Sequence, residues 1–282
     1  MDKANSHWRG QRVLVTGCTG FLGSAVVEEL LAGGAEVVGL VRDRTSAAAF
    51  SRHQLAGRIH IVHGRSENLF RMHSAMAVYE VRAAFHLTSP DPSSFDRDTA
   101  TALEAVRRYD PRIPTIIARP TEAAPVGTSP VPLGVARFGE LFGPGDCKAN
   151  RFVAAAVLAN LTGERLPPPA ERGPRDYVPV QDAARACLRL AEAVTQEPAP
   201  RVREAAFQTG WVLSDREMSG FIRDACAGRR PPVSFPCPAN PFGWSPTLKF
   251  TEAMADTVEW YREFAPTRRM LGRADWRRPT AA

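Results

Sequence analysis

The sequence predicts an α/β protein, a doubly wound parallel sheet with a small C-terminal lobe. Two observations carry that prediction. Over residues 12–138, short apolar, β-branched runs alternate with segments of helical periodicity, and such alternation folds as parallel strands joined by crossover helices. Beyond residue 138 the alternation stops, and helical segments separated by proline-rich loops take over.

The first element is the run Val13-Leu14-Val15, followed by the turn Thr16-Gly17-Cys18-Thr19-Gly20-Phe21-Leu22-Gly23. Val26, Val27, Leu30 and Leu31 then recur at helical spacing, Gly33-Gly34 closes the helix, and residues 35–41 form a second strand. Strand, glycine turn, helix and strand within about 30 residues make the βαβ unit of a Rossmann-type, dinucleotide-binding domain. Gly17 permits the tight turn, Gly20 lets the main chain approach a pyrophosphate, and Gly23 lets the helix pack closely on the strand. The helix N-terminus then offers unpaired N–H groups and a partial positive charge to the anion. The alternative is a turn of the same shape that holds no ligand.

Residues 58–64 read as a third strand and 83–87 as a fourth, with a helical stretch between them. Residues 101–109 read as a helix ended by Asp110-Pro111, and 114–118 as a fifth strand. A passage rich in proline and glycine, 119–132, leads to a sixth strand at 133–138, which runs on into Leu141-Phe142-Gly143-Pro144-Gly145-Asp146. Residues 151–163 are helical, 166–174 form a proline-rich loop, 180–193 are helical, and 250–264 form an amphipathic helix. There is no internal repeat. The expected division is 1–145 for the dinucleotide-binding domain and 146–282 for a substrate-binding lobe, with an approximate boundary and interleaved lobes.

Composition narrows the classes. The chain has 282 residues, 44% hydrophobic and 23% charged, which is ordinary for a soluble protein, and no run reaches the roughly 18 apolar residues of a membrane span. The N-terminus carries no apolar signal core, so a cytoplasmic location is expected. The net charge of +6 comes from arginines spread along the chain, without a basic cluster or motif for nucleic acid. The five cysteines show no C-x-x-C spacing and read as reduced and structural. Cys147, between Asp146 and Lys148, reads either as an activated thiol or as a passive surface cysteine. His60 and His63 share a strand with no third ligand in sight, so no metal is expected.

Five segments together resemble the extended short-chain dehydrogenase/reductase family. They are Val15 to Gly23, Phe85-His86-Leu87-Thr88, Gly139 to Asp146, Arg175 to Ala184, and Gly243-Trp244-Ser245-Pro246 with Thr257-Val258-Glu259-Trp260-Tyr261. The likeness is to the NAD-dependent epimerase/dehydratase type, nearest to CDP-glucose 4,6-dehydratase-like proteins. It implies an NAD(P) cofactor, a sugar-nucleotide substrate, and a cofactor site of Gly17, Thr19, Gly20, Phe21, Leu22, Gly23, Leu87 and Thr88. Where relatives carry an acidic residue for the ribose hydroxyls, this chain has Val41 followed by Arg42, Asp43 and Arg44. Arg42 favours NADP, because a guanidinium pairs with a 2′-phosphate, while Asp43 leaves NAD open. Arg65 stands where relatives place an aspartate near the adenine. His86 matches a position in the fourth strand and reads as structural.

The resemblance also implies a substrate site that includes Arg175, Tyr177 and the position of Glu140, and Lys148 and Asn150, which follow in the same loop as Glu140, read either as facing that pocket or as lying in solvent. Arg175 matches the arginine that relatives use on the diphosphate, and the competing reading is an ion pair with Asp176. Glu140 replaces the usual asparagine, and its carboxylate would repel a diphosphate, which points to an altered substrate.

Catalysis departs from the family. Relatives use Tyr-x-x-x-Lys on a helix, but the residues four after Tyr79, Tyr109, Tyr177 and Tyr261 are Ala83, Ile113, Gln181 and Ala265. The fifth and sixth strands are joined only by residues 119–131, too few for a helix that covers the sheet. The helix bearing the pair is therefore expected to be missing, and with it the four-helix dimer interface of relatives. Thr121 and Glu122 stand where dehydratases carry acid/base groups, and Glu122 reads as a base or as an exposed loop carboxylate. Three functions follow: an NAD(P)-dependent enzyme with an atypical proton-transfer set, a non-catalytic binding protein, or a non-redox enzyme reusing the pocket.

Overall fold

Strands buried on both faces of a parallel sheet are apolar almost without interruption, and Val13, Leu14 and Val15 are all fully buried. A computed structural model describes residues 7–42, 57–88, 95–148, 151–164, 173–196 and 202–264. In chain order its elements begin with β1 (Arg12–Thr16), α1 (Phe21–Ala32), β2 (Glu36–Val41), β3 (His60–His63), α2 (Leu69–Val78) and β4 (Ala83–His86). Next come α3 (Phe95–Tyr109), β5 (Thr115–Pro120), β6 (Leu133–Phe138), β7 (Glu140–Phe142) and α4 (Phe152–Thr162). The chain continues through β8 (Arg175–Pro179), α5 (Val180–Gln196), β9 (Val202–Ala206), β10 (Val212–Leu213), α6 (Asp215–Cys226) and α7 (Phe250–Phe264).

Two units divide these elements. The first comprises Met1–Phe138, Ala183–Phe207 and Asn240–Trp244, where the sequence suggests one approximate boundary at 145. Its seven-stranded sheet has the order β3-β2-β1-β4-β5-β6-β9, and every pair is parallel. This is the doubly wound Rossmann order with one strand added beyond β6. Leu14, Val38, Ala84, Ile117, Leu133 and Val135 from the sheet pack with Met72 and Met76 of α2 and with Ala102, Ala105 and Val106 of α3. Helix α3 starts at Phe95, six residues before the start read from the sequence. Its first turns bury polar side chains, Asp98 and Thr99, so apolar periodicity could not reveal them.

Strands β5 and β6 pair from Thr115 with Leu133 through Pro120 with Phe138, yet residues 121–132 between them contain no helix. Val126 and Val131 of this connection join the core beside Ile117, Leu133 and Val135, so the loop covers the sheet itself. Arg137 holds it in place. Its Nη1 donates to the carbonyls of Pro120 (3.2 Å) and Ala123 (2.7 Å), and its Nη2 donates to that of Ala124 (3.0 Å). Its Nε donates to Glu204 Oε2 (2.7 Å), while Glu204 Oε1 accepts the Val126 N–H (2.5 Å).

The second unit comprises Gly139–Asp182, Gln208–Ala239 and Ser245–Ala282. Its small sheet has the order β10-β8-β7, with β8 parallel to β7 and antiparallel to β10. Phe142, Val157, Tyr177, Trp211, Met218, Phe250 and Tyr261 fill its core. Sequence periodicity missed β8, β9, β10 and α6. The strands are at most five residues long, but α6 carries a legible start signal, the capping box of Ser214 and Glu217. No helix among the described residues is long and apolar enough to cross a membrane.

Candidate functional site

The glycine turn is forced by sterics. Gly17 has φ +73°, and a Cβ there would stand 2.6 Å from the Leu87 carbonyl oxygen, so both backbone angle and space exclude a side chain. A Cβ on Gly23 would collide with the Gly17 carbonyl oxygen, which lets α1 begin directly above the turn. Gly20 is the N-cap of α1; no side chain caps the helix and no acidic residue stands in its first turn. Glycines that leave the main chain bare beside an uncharged, uncapped helix N-terminus suit a pyrophosphate. Thr19, Phe21 and Leu22 are half-buried around this turn.

Leu87 and Thr88, from the end of β4, lie against the same turn. Between them and β1 stands His86, whose Nδ1 meets Thr16 Oγ1 at 2.8 Å and whose Nε2 meets Thr88 Oγ1 at 3.1 Å. Burial pushes its pKa down to about 4, against the pull of Asp98 and Glu67. A neutral imidazole bridging two hydroxyls is a structural pin for the turn.

Arg42 and Arg65 leave the ends of adjacent strands, since Val41 pairs with His63 and the Gly64 N–H donates to the Val41 carbonyl at 2.8 Å. Both arginines are exposed. Arg65 donates through Nε (3.4 Å) and Nη2 (3.2 Å) to the two oxygens of Glu67. That hydrogen bond holds the Glu67 carboxyl below its ordinary range, and the charge of Arg42 adds to the effect.

At the end of β5, Thr121 donates its N–H to the Phe138 carbonyl at 2.9 Å. The side chains of Thr121 and Glu122 are both exposed.

In the second unit Arg175 pairs with Asp215 through Nη2 and Oδ1, which replaces the Asp176 pairing considered from sequence. Asp176 is committed elsewhere. It accepts from the Thr209 N–H (3.0 Å), the Thr209 hydroxyl (3.0 Å) and the Gly210 N–H (2.8 Å). Tyr177 is fully buried and donates its hydroxyl to Asp215 at 3.1 Å. Burial and the Asp215 charge drive its pKa upward, so it is a neutral phenol. Glu140 lies opposite Tyr177 in the β7–β8 register, Lys148 is exposed, and Asn150 lies outside the described residues. Sequence reasoning did not find Asp215, although it occupies the first turn of the helix that the Ser214 capping box announces.

Among the described residues no group of three or more His, Cys, Asp or Glu is placed to hold a metal ion. Cys147 donates its thiol to the Gly145 carbonyl at 3.2 Å.

Residues 13–108 match the model of the NAD dependent epimerase/dehydratase family. Similar solved structures include dTDP-glucose 4,6-dehydratase from Bacillus anthracis in complex with NAD, at 18% identity and TM-score 0.74 over 93% of this chain and 100% of that one. UDP-glucose 4-epimerase from Thermotoga maritima, with UDP-glucose, matches at 19% identity and TM-score 0.69 over 90% of this chain and 100% of that one. UDP-glucose 4-epimerase from Thermus thermophilus, in complex with NAD, matches at 22% identity and TM-score 0.64 over 89% and 99%. At these identities the likeness establishes a shared fold.

Proposed function

We propose that this chain is an NAD(P)-binding, epimerase/dehydratase-like enzyme that acts on a sugar nucleotide or related small molecule without a Tyr/Lys pair. The observation that carries the reading is the coexistence of a glycine turn that admits no side chain at Gly17 with a helix-free connection at 121–132. The match of residues 13–108 to the family model supports it. So does the fold shared with enzymes whose structures contain NAD or UDP-glucose.

When bound, a nicotinamide cofactor accepts and returns a hydride. The chain's own residues do the rest. Gly17, Gly20 and Gly23 bring bare main chain and the α1 N-terminus to the pyrophosphate, with Thr19, Phe21, Leu22, Leu87 and Thr88 around it. Arg42 favours NADP over NAD through a 2′-phosphate, and Arg65 stands beside it on the cofactor side. Thr121 and Glu122 take the place of the missing Tyr/Lys pair, with Glu122 moving the proton. Arg175, Tyr177, Glu140, Lys148 and Asn150 contribute to the substrate side.

Incubation with UDP-, dTDP- and CDP-glucose in the presence of NADP or NAD, followed by chromatography of the sugars, tests the enzyme. Turnover is expected, and Glu122→Gln is expected to lower it by roughly a hundredfold or more. A second reading, a non-catalytic binding protein, is favoured by the exposure of Thr121 and Glu122 to solvent. Cofactor binding without turnover of any of these sugars selects it.

A further inference from the structure

The geometry points to Glu67 as the internal counter-ion of a two-arginine site for the 2′-phosphate of an adenosine ribose, a site in which this carboxylate sets how strongly the phosphorylated cofactor is preferred. The inference rests on the nicotinamide-cofactor reading above and deepens it.

Position comes first. Arg42 and Arg65 follow paired residues of neighbouring parallel strands, Val41 and His63. Ligands of doubly wound sheets sit at the carboxyl ends of the strands. Two guanidinium groups at one strand-end edge match a dianion, because the planar fork grips two phosphate oxygens at once. The charge of Arg42 also reaches Glu67, more weakly than that of Arg65. The three groups therefore share one electrostatic neighbourhood.

The Arg65–Glu67 pair is built to be exchanged. Glu67 occupies Nε and Nη2, the two donors with which Arg65 would hold a phosphate. Its bonds there are long, 3.4 and 3.2 Å, whereas the exposed pair of Arg107 and Glu104 in α3 closes to 2.7 and 2.8 Å. With Arg65 66% and Glu67 35% exposed, solvent screens the pair and holds it weakly. A phosphate that adds Arg42 as a second partner displaces the carboxylate readily, while the carboxylate repels it on approach. In the unphosphorylated cofactor nothing competes for Arg65, and Glu67 remains its partner. Glu67 thus acts against the 2′-phosphate alone and moderates a preference that the two arginines would otherwise make stronger.

Calorimetric titration of the full chain with NADPH and with NADH, in the wild type and in Glu67→Gln and Arg65→Gln variants, tests this. Both substitutions are at exposed positions and leave the fold in place. The wild type is expected to bind NADPH more tightly than NADH. Glu67→Gln is expected to tighten NADPH binding by roughly three- to tenfold with NADH binding unchanged, so that the ratio of the NADH Kd to the NADPH Kd rises, and Arg65→Gln to weaken NADPH binding by a similar factor. A ratio unchanged in Glu67→Gln overturns the inference and leaves the cofactor reading standing. Selective loss of NADH binding in Glu67→Gln also overturns it, because Glu67 would then be holding ribose hydroxyls. Failure of the wild type to bind either cofactor overturns the proposed function itself.

Discussion

Two loops leave the same edge of the large sheet and are held by opposite means. After β1, the chain turns through Gly17 and Gly20 because no other residue type fits: φ at Gly17 is +73° and the Leu87 carbonyl stands where a Cβ would go. After β5, residues 121–132 carry no such constraint, and two side chains from elsewhere, Arg137 and Glu204, gather their carbonyls and N–H groups. The first loop is specified by its own residues, the second by a pair 67 positions apart. A turn fixed locally fits a site that must recur unchanged, whereas a loop fixed from a distance can be rebuilt without disturbing the sheet.

The largest effect should come from the locally fixed turn. Gly17→Val puts a β-branched residue at positive φ against the Leu87 carbonyl, and a loss of about 3 kcal/mol or more is expected in urea unfolding. A midpoint equal to that of Glu122→Gln, at an exposed position, would break the contrast between the loops.

The distant clamp should come next. Arg137 and Glu204 side chains are only 9% and 23% exposed. Arg137→Met leaves the half-buried Glu204 carboxylate without its cation and three loop carbonyls without their donor, and is expected to cost about 2–3 kcal/mol, part of it recovered in Arg137→Met/Glu204→Leu. Amide exchange should rise in residues 121–126 of the single variant. Protection there equal to the wild type would show that Val126 and Val131 hold the loop without the clamp.

A smaller effect depends on pH. His86 titrates near 6.5 when unfolded and about 4 when folded, so the unfolded chain takes the proton first as the pH falls. Its contribution is therefore complete above about 6.5 and is lost progressively toward pH 4, by about 3 kcal/mol at most. His86→Gln should flatten this part of the stability profile. A profile with the same slope in that variant would place the acid sensitivity elsewhere.

The smallest effect is chemical. Burial pushes the Cys18 thiol up to about 12 and raises Cys187 as well, while Cys237 is exposed. Iodoacetamide at pH 8 should label Cys237 and spare Cys18 and Cys187 until the chain unfolds. Labelling of Cys18 in the native protein would mean that the glycine turn opens.

How far the sequence was legible follows the same division. The parallel sheet, the glycine turn and the short β5–β6 connection could be read because each rests on periodicity, residue type or length within a few positions. The role of Arg137 and the pairing of Arg175 with Asp215 rather than Asp176 could not, since both depend on residues that meet only after folding. The early start of α3 was hidden by its buried Asp98 and Thr99. Helix α6 is announced by Ser214 and Glu217, but its buried face carries only Asp215, Met218 and Ile222, too sparse an apolar stripe for periodicity to reveal.

The proposed function requires the glycine turn to serve a nicotinamide cofactor beside a β5–β6 connection that holds no helix. Titration of the purified chain with NADPH, followed by fluorescence of the reduced nicotinamide, measures this directly. One cofactor per chain, bound with micromolar affinity and weakened in Gly20→Val, is the predicted result. No binding of NADPH or NADH to a folded wild-type chain would contradict it.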